Sequence, residues 1–218
     1  MSELAYTIKN AETVTTVADY MANCVDVPKF LACCQQCPSY KNNWSCPPFE
    51  FDVMKLWEEY KTLRLFARFL IPKEGCDGQT LIDSLWMEKE EFLAELLELE
   101  KATPGSMALS CGTCKACAVC ARKNGKPCCQ PAQMRHSIEA LGGDVDETAQ
   151  RFFGKPLLWV KDGVAPDYLM LVGGLLLRED IPRNRAFPFR NYAGYQPRYI
   201  GFPCRRLGSA EGYEKGFG

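Results

Sequence analysis

The chain has 218 residues, 47% of them hydrophobic, enough for one large domain or two small ones with a packed core. Its 26 basic and 27 acidic side chains nearly cancel, so no global field draws it to nucleic acid or to an anionic membrane. The 13 cysteines are far more than ordinary packing uses; they are odd in number, and the start MSELAYTIKN lacks the apolar segment of a secretory leader, which argues against a disulfide framework. A reducing, cytoplasmic and anaerobic setting is the expectation.

In chain order, Val14, Val17, Ala18 and Met21 recur at helical spacing and predict a helix over Ala11–Asn23. The stretch FLACCQQCPSYKNNWSCPPFE follows, and its prolines, serines and asparagines predict an irregular loop. FDVMKLWEEY, from Phe51 to Tyr60, reads as helix, and Leu63–Ile71 alternates apolar and basic residues as a half-buried strand does. Gln79–Ala102 carries an apolar stripe that includes Leu81, Leu85, Trp86, Phe92 and Leu96, and predicts a long amphipathic helix. A short strand over Met107–Ser110 leads into CGTCKACAVCARKNGKPCCQP. Helices are expected at Gln133–Leu141 and at Asp146–Phe153, the second capped by Asp144. Tyr168–Leu177 is a buried strand, too short to cross a bilayer, whose Gly173 and Gly174 fit strand packing better than any nucleotide motif. The fold class expected is α+β, a small sheet with a long covering helix and two cysteine-rich metal loops.

Residues 1–180 make the cysteine-rich domain on this reading, and 181–218 an extended basic and aromatic tail. The tail holds seven basic and two acidic residues, a net +5 against −6 on the rest. Its interleaved arginines and aromatics suit a protein partner better than nucleic acid.

Cys111, Cys114, Cys117 and Cys120 stand at uniform three-residue spacing, with Cys128 and Cys129 shortly after. Three consecutive C-x2-C steps suit the corners of a cubane iron–sulfur cluster, with Cys114, Cys117 and Cys120 as the wrap and Cys128 as the fourth ligand. Cys111 can replace one of the first three. Zinc is the alternative, although it usually takes two separated C-x2-C knuckles. In the first loop Cys34, Cys37 and Cys46 offer three thiolates for a second 4Fe–4S centre, and a fourth ligand would come from Cys24, Cys33 or a non-cysteine group. His136, the only histidine, suits a surface or supporting role, and Glu139 is a candidate catalytic carboxylate weighed against a solvated or capping glutamate.

The two loops resemble a bacterial and archaeal family of predicted metal-binding proteins of unknown function, domain of unknown function 2284. The resemblance rests on Cys34, Cys37, Pro38, Tyr40, Cys46, Pro47 and Pro48 in the first loop, and on Cys114, Cys117, Cys120, Ala121, Cys128 and Pro131 in the second. The segment Ser137, Ile138, Glu139, Ala140, Gly142, Gly143, Asp144 and Val145 continues it, and the likeness runs from Leu31 to Leu177. Ile138, Gly143 and His136 depart from the family's usual residues, while Cys111 and the tail are additions to its pattern. The resemblance implies metal binding and supplies no reaction. The function expected is that of an iron–sulfur protein passing electrons to or from a redox partner. The alternatives are a maturation factor for another metalloenzyme, or an enzyme using an open iron site as a Lewis acid.

Overall fold

A computed structural model describes residues 4–180; the tail after Asp180 and Cys204 within it lie outside the described residues. Four antiparallel strands form one sheet in the order β1-β2-β4-β3: β1 Tyr6–Thr16, β2 Thr62–Pro72, β3 Met107–Leu109 and β4 Leu169–Leu177. The long helix α4, Gly78–Ala102, covers one face, α1 Val17–Cys24, α3 Val53–Glu58 and α5 Val145–Phe153 pack on the other, and α2 Val27–Gln35 lies against the segment Glu139–Leu141. This is the expected α+β class, with the small sheet and the long helix in place.

The pleat sorts β2 between two cores. Leu63, Leu65, Ala67 and Phe69 face Tyr20, Trp57, Ile138 and Phe153, whereas Phe66 packs with Phe92 and Leu96 of α4. At Gly173 an added Cβ would stand 2.8–2.9 Å from the Leu109 carbonyl, Leu96 and Phe92. The missing side chain thus lets the helix seat on the sheet, and the strand-packing reading of that glycine holds.

β2 is a central strand with both faces covered, where the sequence suggested a half-buried one. Its alternating basic residues turn inward: the Arg64 and Arg68 side chains are 3% and 4% exposed, paired with Glu12 at 2.6 Å and with Glu88 and Glu95 at 3.2 and 2.7 Å. Tyr6 completes the network by donating to Glu88 at 2.8 Å. Buried charges persist only when so paired.

Three other segments differ from expectation. Ala11–Thr16 is strand, because the β-branched run Val14–Thr16 pairs along β2 and Glu12 meets Arg64; the helix starts at Val17, capped by the Thr16 hydroxyl on the Asp19 amide at 3.1 Å. The first cysteine segment begins as helix, since Asp26 caps α2 and Pro28 sits in its first turn, which puts Cys33 and Cys34 in the last turn. Gln133–Leu141 is not a helix, because the Ser110 amide donates to the His136 carbonyl at 2.9 Å and Ser110 bridges Ser137 in parallel. Only Glu139–Leu141 makes a short 3-10 turn. The helix α5 forms where expected, with the Asp144 side chain accepting from the Glu147 amide.

Candidate metal centre

The two cysteine loops leave different parts of the scaffold and meet. The first grows from α2: Cys37 and Tyr40 amides donate to the Cys34 and Cys37 carbonyls, each at 3.0 Å, so the chain runs in consecutive tight turns. The second leaves the edge strand β3 directly through Ser110 and Cys111.

Asn43 and Ser45, both buried, form the seam. Asn43 Oδ1 accepts from the amide and hydroxyl of Ser45 at 3.0 and 2.9 Å, while Asn43 Nδ2 donates to the Cys114 carbonyl at 3.0 Å. The Ser45 hydroxyl in turn accepts from the Cys114 amide at 3.0 Å. Thr113 reaches Ser39 at 3.2 Å and the Cys46 sulfur at 3.7 Å, and Trp44 Nε1 donates to the Lys126 carbonyl at 2.9 Å.

Arg122, from the second loop, donates to the carbonyls of Asn43, Cys46 and Pro48 at 2.9, 2.6 and 2.5 Å, with its guanidinium over the Trp44 ring. One planar fork gathers three carbonyls of an irregular segment that has no ladder of its own. His136 plays a comparable part. Its Nδ1 donates to the Ser45 carbonyl at 3.1 Å and its ring stands edge-on to Phe49, so the proton is on Nδ1. Burial lowers its pKa, which keeps the ring neutral. This is a supporting role, as the sequence suggested.

The thiols fall into two sets. Cys114, Cys117, Cys120, Cys128 and Cys129 line one hollow with Trp44 on its wall. Burial raises the Cys114 pKa, and Cys128 and Cys120 add to the effect; Cys117 is raised likewise, with Cys129, Cys114, Cys128 and Cys120 as its charged neighbours. In the first loop burial pushes the Cys34 thiol to about 11, and Cys46, Cys37, Glu139 and Cys33 act in the same direction. Burial also raises Cys46. Thiolates crowded in this way repel, and a bound cation turns that repulsion into attraction.

Of the remaining candidates, Cys33 borders the first set, and Cys24 and Cys111 lie in the core. Cys24 is in the core with Tyr20 and Trp57, where burial pushes its thiol to about 12. Cys111 is buried with Phe92 and Leu96, also pushed to about 12, with Lys89 opposing the shift. Cys33 is exposed at the end of α2.

Sequence reasoning missed the residues that join the loops, Asn43, Ser45, Thr113 and Arg122. The dense polar run NNWS was the signal for Asn43 and Ser45, and Thr113 and Arg122 had none. It also missed Lys89 of α4, which donates to the Thr113 carbonyl at 2.7 Å, and the burial of Glu139, whose Oε2 has no hydrogen-bond partner. Burial raises the Glu139 pKa, while its own amide, Ser137, Lys89 and the Gly112 amide oppose the shift.

Among the described residues, no group of three or more His, Cys, Asp or Glu stands in position to hold a single metal ion. The donor set is nevertheless nearly pure thiol, which selects soft or borderline metals and iron–sulfur clusters over hard cations. Such a cluster spreads its ligands around several irons, so it does not require the thiols to converge on one point.

A cysteine-rich metal-binding domain on an α+β scaffold is the class that the fold and site define. The chain belongs to the family of predicted metal-binding proteins (DUF2284), whose model matches residues 23–177. Comparison with curated proteins found no match, and neither did comparison with solved structures. Among the described residues no helix is long and apolar enough to cross a membrane.

Proposed function

We propose that the protein is an iron–sulfur electron carrier with two 4Fe–4S centres, one at Cys114, Cys117, Cys120 and Cys128, the other on Cys34, Cys37 and Cys46. The observation that carries this reading is the separation of the thiols into two sets within one hydrogen-bonded unit. Bound clusters of this type supply reversible one-electron chemistry, with potentials tuned by burial and by hydrogen bonds to the sulfurs.

The chain's own residues account for the rest. Asn43, Ser45 and Arg122 hold the two loops in fixed relation, which favours a constant distance for electron passage. The Thr113 hydroxyl, which donates to Ser39, lies 3.7 Å from the Cys46 sulfur and makes the surroundings of that thiol polar. Trp44 puts an apolar ring on the wall of the hollow of the second set. The partner is a redox protein, met through the tail after residue 180, whose net +5 suits an acidic surface. The setting is a reducing cytoplasm.

The test is a potentiometric titration under anaerobic conditions, followed by electron paramagnetic resonance. Two reversible one-electron couples support the reading. Steady turnover of a substrate by the isolated protein, or delivery of iron and sulfide to an apo-protein, would replace it with the enzymatic or the maturation alternative.

A further inference from the structure

The first loop offers three thiolates where a cubane has four corners, and the structure places an unusual group beside them. Segments 24–27 and 142–144 are zipped together: the Asp26 amide donates to the Gly142 carbonyl at 2.8 Å, the Asp144 amide to the Cys24 carbonyl at 2.7 Å, and Val25 bridges Gly143. At Gly142, φ is +79° and a Cβ would stand 2.7 Å from Val27, so only glycine permits this approach. Helix α2 therefore lies against the 3-10 turn Glu139–Leu141. Cys34 follows Val27 by seven residues, two helical turns, so it shares the face of α2 that meets this turn.

Glu139 is thus brought within electrostatic reach of Cys34, with Cys46, Cys37 and the exposed Cys33 as the other charged neighbours of that thiol. Its Oε2 is buried and makes no hydrogen bond. Ser137 and the Gly112 amide bear on the carboxylate, and Lys89, a cation that acts on it, donates to the Thr113 carbonyl. A buried carboxylate oxygen without a partner is strongly unfavourable unless a cation or donor completes it.

We infer that Glu139 supplies the fourth, oxygen ligand to the first-loop centre beside Cys34, Cys37 and Cys46. The inference rests on the iron–sulfur reading above. One iron of this centre then carries a hard, exchangeable ligand, while the centre at Cys114, Cys117, Cys120 and Cys128 is all-thiolate. The carboxylate can yield its position to a small anionic or hydroxylated ligand, which gives the first loop a binding site that the second lacks.

Mössbauer spectroscopy of the iron-57 protein, prepared anaerobically, tests this in the full chain together with the variants Glu139→Gln and Glu139→Cys. The wild type should show about one iron in eight with the higher isomer shift of oxygen ligation, given two cubanes. Glu139→Gln should lose that component and about one iron per chain, and Glu139→Cys should restore the iron with an all-thiolate spectrum. The second-loop centre serves as the internal control for folding and should be unchanged in both variants. A merely structural glutamate would give unchanged component spectra in Glu139→Gln, or loss of both centres that cysteine does not rescue; either result overturns the assignment. Wild-type protein whose iron is entirely thiolate-ligated also overturns it and leaves the carrier reading standing. Wild-type protein devoid of iron and sulfide overturns both.

Discussion

Arg122 is the residue on which the union of the two loops most depends. Replacing it with alanine removes three bonds to the carbonyls of Asn43, Cys46 and Pro48, and the stacking on Trp44. A charge-assisted hydrogen bond contributes about 1.5–3 kcal/mol when buried. The bond to Pro48 is exposed and the other two are half-buried, so solvent screening reduces the average to about 1 kcal/mol each. The total, about 3 kcal/mol, corresponds to roughly a hundredfold rise in the opening of the first loop. Hydrogen exchange on the metal-free protein measures this directly. Amides of residues 41–46 should exchange about a hundredfold faster in Arg122→Ala, while those of β2 and β4, which lie in the sheet, stay within a factor of three. Arg122→Lys should recover only part of the protection, since a point charge cannot reach three carbonyls as a planar fork does. Unchanged exchange at residues 41–46 in Arg122→Ala would refute the clamp.

Three further outcomes follow from the site and the scaffold. Cys37→Ser should remove about half of the bound iron and spare the centre at Cys117, and Cys117→Ser the reverse; loss of all iron in either variant means one shared centre. Arg68→Met should destabilise the metal-free protein by about 3–5 kcal/mol in denaturant unfolding, because Glu88 is left buried with only Tyr6, and adding Glu88→Gln should recover much of the loss. Cys24 binds its proton more tightly folded than unfolded, with its pKa raised by burial from an ordinary value near 9 to about 12. Its contribution to stability is therefore complete below pH 9 and disappears as pH rises towards 12. Between those limits the wild type should lose stability with a slope approaching about 1.4 kcal/mol per pH unit more than Cys24→Ala, measured by chemical unfolding. An identical pH profile in the two proteins contradicts the burial argument.

Elements with a strong periodic pattern were legible in the sequence. The stripe from Leu81 to Leu96 fixed α4, Asp144 marked the start of α5, and the apolar run before Leu177 marked β4. The failures have a shared physical cause, in that tertiary pairing overrode local pattern. Val14, Val17 and Met21 mimic a helical stripe, but the partner strand β2 and the Arg64–Glu12 pair hold Ala11–Thr16 extended. Ser137 and His136 have helix-compatible neighbours, yet Ser110, just past β3, claims their backbone. At the site, cysteine spacing predicts two groups of thiols but could not reveal that Asn43, Ser45 and Arg122 tie the two loops together. Those contacts span 69 to 79 residues of chain and leave no local signal. Cys24 and Cys111 look like ligands by proximity in sequence, and the structure buries both in hydrophobic clusters, with Thr148 and Arg151 acting on Cys24 and Lys89 and Glu139 on Cys111.

Iron and sulfide held by these thiols, as proposed, can be assayed without any partner or substrate. The most direct measurement is the metal and acid-labile sulfide content of protein purified without oxygen, with its absorption spectrum. The account predicts brown protein, absorbing broadly near about 400 nm, with iron and sulfide in equal amounts and about eight of each per chain. Colourless protein carrying stoichiometric zinc and no sulfide would contradict it.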